Sequence, residues 1–135
     1  MSNWSHVAAI ARIDHIAVLS TPELDFEEVF GKEIHYESDE ELWEEATEHP
    51  ERFLPMGSEG SSRMSVWVNP NPHDAARYTV SIFGDLRDHD DPNAIVEWFK
   101  EKIEGLMVRQ AVITVYNEWH GTVSWNLEED EASDD

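Results

Sequence analysis

The sequence predicts a single α+β domain, one antiparallel sheet with two helices on one of its faces. Three observations carry this expectation. The chain has 135 residues, the length of one domain, and 40% of them are hydrophobic, enough for one core. Apolar residues alternate with a period of two in several short stretches and recur at helical spacing in others. No internal repeat and no long linker divides the chain.

The first element is a strand within residues 5–19, a stretch rich in Val, Ile and Ala and free of Gly and Pro. Val7, Ala9, Ala11, Ile13 and Ala17 share one parity, broken only by His15, and mark a core face. Thr21-Pro22 breaks the strand. A helical turn follows at Leu24–Phe30 and stops at Gly31. Ser38 and Glu41 have capping-box spacing, so a helix runs from Asp39 to about Glu48, ended by Pro50. Residues 51–62 hold Pro55, Gly57, Gly60 and three serines and read as a loop.

Met64, Val66 and Val68 form a second strand, and Asn69-Pro70-Asn71-Pro72 a turn. Tyr78, Val80 and Ile82 form a third strand, antiparallel to the second. Asp91-Pro92 is an N-cap with proline at the first helical position. Ile95, Val96, Phe99 and Ile103 continue that helix to Gly105. Met107–Tyr116 is β-branched and reads as a fourth strand. Asn117–Gly121 turns the chain, and Thr122–Leu127 returns as a fifth. The order β-α-β-β-α-β-β is met economically by a ferredoxin-like β-α-β-β-α-β plait with an extra C-terminal hairpin strand. The domain then spans residues 1–127, and residues 128–135 form an acidic tail expected to be disordered.

Charge narrows the function classes. Thirty acids face nine Lys+Arg, a net charge of −21. Nucleic acid and anionic membranes would repel such a chain, so neither is expected as its main partner. Cysteine is absent, which removes disulfides, thiol nucleophiles and thiolate metal sites. The first residues carry no basic stretch, and no run approaches the ~20 apolar residues of a spanning helix, so a soluble cytoplasmic protein is expected.

The acids are not spread evenly. Residues 23–59 hold fourteen acids against Lys32 and Arg52, and residues 128–135 hold six acids and no base. Residues 60–84 and 106–127 are together almost neutral. Salt adaptation, which the three lysines would suit, spreads acid over a whole surface. Concentration suits a surface facing a partner, and the simpler alternative is a solvated face.

The first long helix sharpens the matter. Glu41, Glu44, Glu45 and Glu48 stand at i, i+3, i+4 and i+7, one stripe of a helix. Like charges at these spacings cost a few tenths of a kcal/mol per pair. No Lys or Arg lies between Glu33 and Glu51 to relieve them. DNA carries one charge per about 1.7 Å of axis. A stripe of carboxylates spaced several Å apart can imitate that pattern and occupy the basic channel of a DNA- or RNA-handling protein, with fast, salt-sensitive association. The candidate protein-binding residues are therefore Asp39, Glu40, Glu41, Glu44, Glu45 and Glu48, with the second cluster Asp85, Asp88, Asp90 and Asp91.

Catalytic and metal motifs do not emerge. Asp88-His89-Asp90-Asp91 fails as a calcium loop: from Asp88, the sixth position is Asn93 where Gly is needed and the twelfth is Phe99 where Glu is needed. It reads instead as a turn capping the second long helix, with acids at the positive dipole end. His6 and His15 fall on opposite faces of the first strand, and His120 in an exposed turn. Gly57-Ser58-Glu59-Gly60-Ser61-Ser62 lacks the Gly-Lys-Ser/Thr ending of a phosphate loop and contains Glu59. No Gly-x-Ser-x-Gly elbow is present. No metal, cofactor or catalytic residue is assigned. Of the six tryptophans, Trp67 and Trp98 are expected in or near the core; Trp4, Trp43, Trp119 and Trp125 are expected to be less buried, where aromatics can anchor an interface.

Two segments, Asn3-Trp4-Ser5-His6-Val7-Ala8-Ala9-Ile10 and Ser81-Ile82-Phe83-Gly84-Asp85-Leu86-Arg87-Asp88-His89-Asp90-Asp91, resemble small uncharacterised proteins of bacteriophage genomes. In size and acidity the chain is also similar to phage-encoded DNA-mimic inhibitors of the anti-CRISPR and anti-restriction type. That likeness implies a non-enzymatic inhibitor of a basic nucleic-acid-handling protein, acting in the host cytoplasm. Two other classes stand beside it: a small adaptor or assembly protein whose acidity confers solubility, or a nuclease immunity protein. A hydrolase with an unrecognised site is a further class, which the absence of catalytic motifs disfavours.

Overall fold

The computed structural model describes residues 2–16, 24–34, 40–71 and 75–128. Strand β1 (Trp4–Ile16) is followed by helix α1 (Phe26–Phe30), helix α2 (Glu40–Glu48) and a 3-10 turn (Pro50–Arg52). Strands β2 (Ser62–Asn71) and β3 (Ala75–Arg87) come next, then helix α3 (Pro92–Ile103) and strands β4 (Met107–Asn117) and β5 (Gly121–Glu128). The five strands form one antiparallel sheet in the order β2-β3-β1-β4-β5.

β1 occupies the middle because it is long and apolar on its core parity. Val7, Ala9, Ala11 and Ile13 are all buried, between Val80, Ile82 and Leu86 of β3 and Ala111, Ile113 and Val115 of β4. Small alanines on the central strand leave room for α3, which lays Ile95, Val96, Phe99 and Ile103 on this face. Asp91 starts α3 as anticipated: its carboxylate accepts the Ala94 N–H (3.1 Å), and Pro92 takes the position that needs no donor. The sheet register shifts between Arg12 and Ile13, where β4 is bulged around Arg109.

The expected ferredoxin-like plait with two helices layered on the sheet is not what forms. About half of the described residues are strand, and the three helices are short. The first crossover does not lay a long helix on the sheet. Phe26 and Phe30 of the five-residue α1 cover it instead, Phe26 edge-on to Tyr78 and Phe30 stacked on Phe99. α2 belongs to a separate small core of Ile34, Ala46 and Phe53, flanked by Leu42, Trp43 and Met56. The physical reason lies in its sequence: Leu42, Trp43 and Ala46 make too narrow an apolar stripe to cover a sheet whose core is already filled by aromatics.

Several boundaries also move. β2 runs on through Asn69-Pro70-Asn71 where a turn was expected, which an edge strand tolerates. β3 extends to Arg87, so Asp85 stands on a strand, and Glu128 pairs with Gln110 at the end of β5. The Thr21-Pro22 break, the Ser38 capping box and residues 129–135 of the tail lie outside the described residues.

Candidate functional site

The two predicted acidic sets occupy different places. On α2, Glu40, Glu41, Glu44 and Glu48 are exposed, and Glu45 is half-buried with its carboxylate 3.5 Å from Arg52. The helix is anchored through Ala46 and flanked by Leu42 and Trp43, which leaves the glutamates directed outward. Asp39 lies outside the described residues.

The second set is committed to local work. Asp85 sits on β3 with Oδ1 2.6 Å from Nδ1 of His6, and Nε2 of the same ring lies 3.3 Å from Glu118. The ring stacks on Tyr116 at 5.8 Å. The bond to Asp85, helped by Glu118, raises the His6 pKa against a smaller opposing effect of burial. Asp88 has a left-handed backbone (φ 60) and accepts from the Ser58 hydroxyl (2.7 Å). Asp91 caps α3, and Asp90 and Asp91 favour the charged form of His89. Burial outweighs them and lowers the His89 pKa. The structure thus does not merge the second cluster with α2 into one acidic stripe. The capping alternative describes Asp91 well.

Beside this cluster lies a buried polar node that the sequence did not disclose. Asn117, fully buried, donates from Nδ2 to the Ser5 hydroxyl (2.9 Å) and the His89 carbonyl (3.3 Å). Its Oδ1 accepts the N–H groups of Trp119 (3.0 Å) and His120 (2.8 Å), which shapes the β4–β5 turn. One side chain therefore ties the central strand, the approach to α3 and the terminal hairpin together.

The glycine-rich stretch 57–61 is not a phosphate cradle. Its N–H groups are used within the fold: Ser58 donates to the Arg87 carbonyl (2.8 Å) and Gly57 to that of Gly60 (3.1 Å). The Arg87 N–H returns a bond to Glu59 (2.9 Å), so the segment prolongs the pairing of β3 beyond β2. Its glycines answer to that close approach. A Cβ at Gly60, where φ is +82, would lie 2.0 Å from the Asp85 carbonyl oxygen.

The largest departure from the sequence reading is the other face of the sheet. Even positions of β1 and β5, even positions of β4 beyond its bulge and odd ones before it, and odd positions of β2 and β3 point away from the helices. Among the described residues this face is open, and Phe83 (52% exposed), Ile10 (44%), Val112 and Tyr116 form its apolar centre. Trp67 lies here too, 61% exposed, against the expectation that it joins the core. Met64, Val66 and Val68 take the core side of β2, and the opposite parity, Arg63, Ser65 and Trp67, is polar apart from the tryptophan, so the alternation itself already placed Trp67 on the outer face. Arg12, Arg63, Arg77 and Arg109 are set among these residues or at their margin, against Asp14, Asp85, Glu118 and Glu128. Asp14 pairs with both Arg77 (3.9 Å) and Arg109. This face is neutral in a chain of net charge −21.

Among the described residues no group of three or more His, Asp or Glu side chains is arranged to hold a metal, and no helix is long and apolar enough to cross a membrane. Comparison with known protein families, with curated proteins and with solved structures finds no match.

Proposed function

We propose that the protein is an acidic inhibitor that acts by binding, of the phage anti-defence, DNA-mimic kind, and that α2 is the face it presents to a basic nucleic-acid-handling protein. The observation that carries this reading is the placement of α2. Glu40, Glu41, Glu44 and Glu48 are exposed on a helix held by a core of its own, and the neutral sheet face is built from the strands. Like charges on one stripe cost helix stability, and a basic partner converts that cost into attraction.

The test is a titration against proteins captured from a bacterial lysate on the tagged full-length chain. Capture at about 50 mM salt, release by double-stranded DNA and release at about 500 mM salt are expected, because such contacts are screened over roughly 8–10 Å. Glu41→Lys combined with Glu44→Lys and Glu48→Lys should keep the fold by circular dichroism and lose capture. Capture that survives the triple substitution, or that ignores competing DNA, refutes the assignment of α2.

A further inference from the structure

We propose that the open face of the sheet is the interface of a symmetric homodimer, in which two copies pack sheet against sheet. Three features of the face point to a second copy of this chain. The first is its composition. A solvated face of an antiparallel sheet is normally polar. This one carries Ser65, Thr79, Ser81, Gln110 and Thr114, but Phe83, Ile10, Val112 and Tyr116 stand exposed among them on β1 and the two strands that flank it, and Trp67 is exposed on the edge strand β2.

The second is charge. Two chains of net charge −21 repel wherever their acidic surfaces meet. The open face is where that repulsion is least, because its arginines are matched by its acids. A two-fold pairing through it leaves α1 and α3 of each copy, which cover the other face, on the outside of the assembly. The face also offers little purchase to a basic partner, which α2 would attract instead.

The third is size. Five strands at about 4.8 Å spacing and eight residues of rise at about 3.3 Å give a face of about 24 by 26 Å. That is about 600 Å² of projected area from each copy, or about 1,200 Å² together before the relief of the side chains is added. Stable specific interfaces start at about this value. Two such sheets pack about 10 Å apart, the distance at which large side chains from both fill the gap. β1 is the middle strand and Ile10 its middle residue on this face, so Ile10 lies near the two-fold axis and close to its own counterpart.

The dimer does not depend on the inhibitory reading of α2, and salt separates the two. Raising salt screens the repulsion between copies and should tighten the dimer, whereas it should weaken capture of a basic target. The experiment is light scattering coupled to size-exclusion chromatography on the full chain, from about 1 to about 100 μM, at low and high salt. The expected mass is that of two chains of 15.6 kDa. Ile10→Glu and Phe83→Glu, each at an exposed position, should raise the dissociation constant about 30-fold or more while circular dichroism stays native. Glu44→Lys should leave the dimer intact. A wild-type chain that remains monomeric across this range at both salts overturns the proposal. So does a dimer that is unmoved by both face substitutions in folded protein, since its interface must then lie elsewhere.

Discussion

Asn117 offers the sharpest test of how the sheet is joined to α3 and to the last hairpin. Asn117→Ala removes two buried donor contacts, to Ser5 and to the His89 carbonyl, and two acceptor contacts to the turn. The turn N–H groups belong to exposed residues and can turn to water, so their loss weighs little. The buried pair is worth about 1 kcal/mol per bond, and the small void left by the amide adds a similar amount. Together these give about 2–3 kcal/mol. Asn117→Asp should be worse, although it keeps both turn acceptors. It sets a carboxylate oxygen against the His89 carbonyl in a site with no exposure, and an uncompensated buried charge costs more than about 3 kcal/mol. Burial raises the pKa of that new carboxyl. Protonation then restores a donor, so the Asp variant should regain stability as the pH falls through its folded-state pKa. Urea unfolding followed by tryptophan fluorescence at several pH values reads all three proteins. An Asn117→Ala loss below about 0.5 kcal/mol, or an Asp variant as stable at neutral pH as the Ala variant, would show that the amide does not join these elements as described.

Two further perturbations follow from the same geometry. His6 has a raised folded-state pKa, so its pairing contributes stability that is full below the unfolded value of 6.5 and is lost as pH rises through the folded value; Asp85→Asn should lower the His6 pKa in an NMR titration and flatten that dependence, and an unmoved pKa would assign the shift elsewhere. Gly84→Ala should cost more than Gly105→Ala in the same urea assay, because a Cβ at Gly84 would meet the Ser61 carbonyl oxygen at 2.7 Å and Ser62 Cα at 2.8 Å. Gly105 has open space around it, and its substitution carries only the cost of φ +85, about 1 kcal/mol; equal losses would mean that stretch 57–61 does not lie against β3.

Local chemistry was the legible part of the fold. The α3 start was visible because Asp91 and Pro92 act within one turn of each other, and its core face because Ile95, Val96, Phe99 and Ile103 repeat at helical spacing. β1 was visible because four residues of one parity are small or branched and apolar. What failed was the assignment of a layer. Ser38, Glu41 and the Leu42-Trp43-Ala46 pattern announce a helix, but nothing within those residues says what the helix rests on. That was decided by Phe26 and Phe30, which fill the sheet face first and leave α2 to a small core with Ile34 and Phe53. The glycines at 57 and 60 misled in a similar way. Glycine marks a loop and a close backbone approach equally well, and only the neighbouring β3 carbonyls distinguish them.

The acids of α2 were legible because a helix converts sequence spacing directly into a stripe. The neutral face was not, because it has no contiguous sequence. Arg63 meets Phe83, Phe83 meets Ala8 and Ile10 meets Val112 only after β2 pairs with β3, and β3 and β4 with opposite edges of β1. A running count of charge still carried a trace of it: the two nearly neutral stretches, 60–84 and 106–127, supply four of the five strands. Residues 1–22, also neutral, supply the fifth, so every strand comes from an acid-poor part of the chain. The large acid load lies mainly in the first crossover and beyond β5. Acid on α2 is tolerated because that helix rests on a core of its own, whereas Asp14 and Asp85 on the strands are each paired with a basic side chain. The strands keep one face for the helices and the other for a second copy, and the crossover is left to carry the charge.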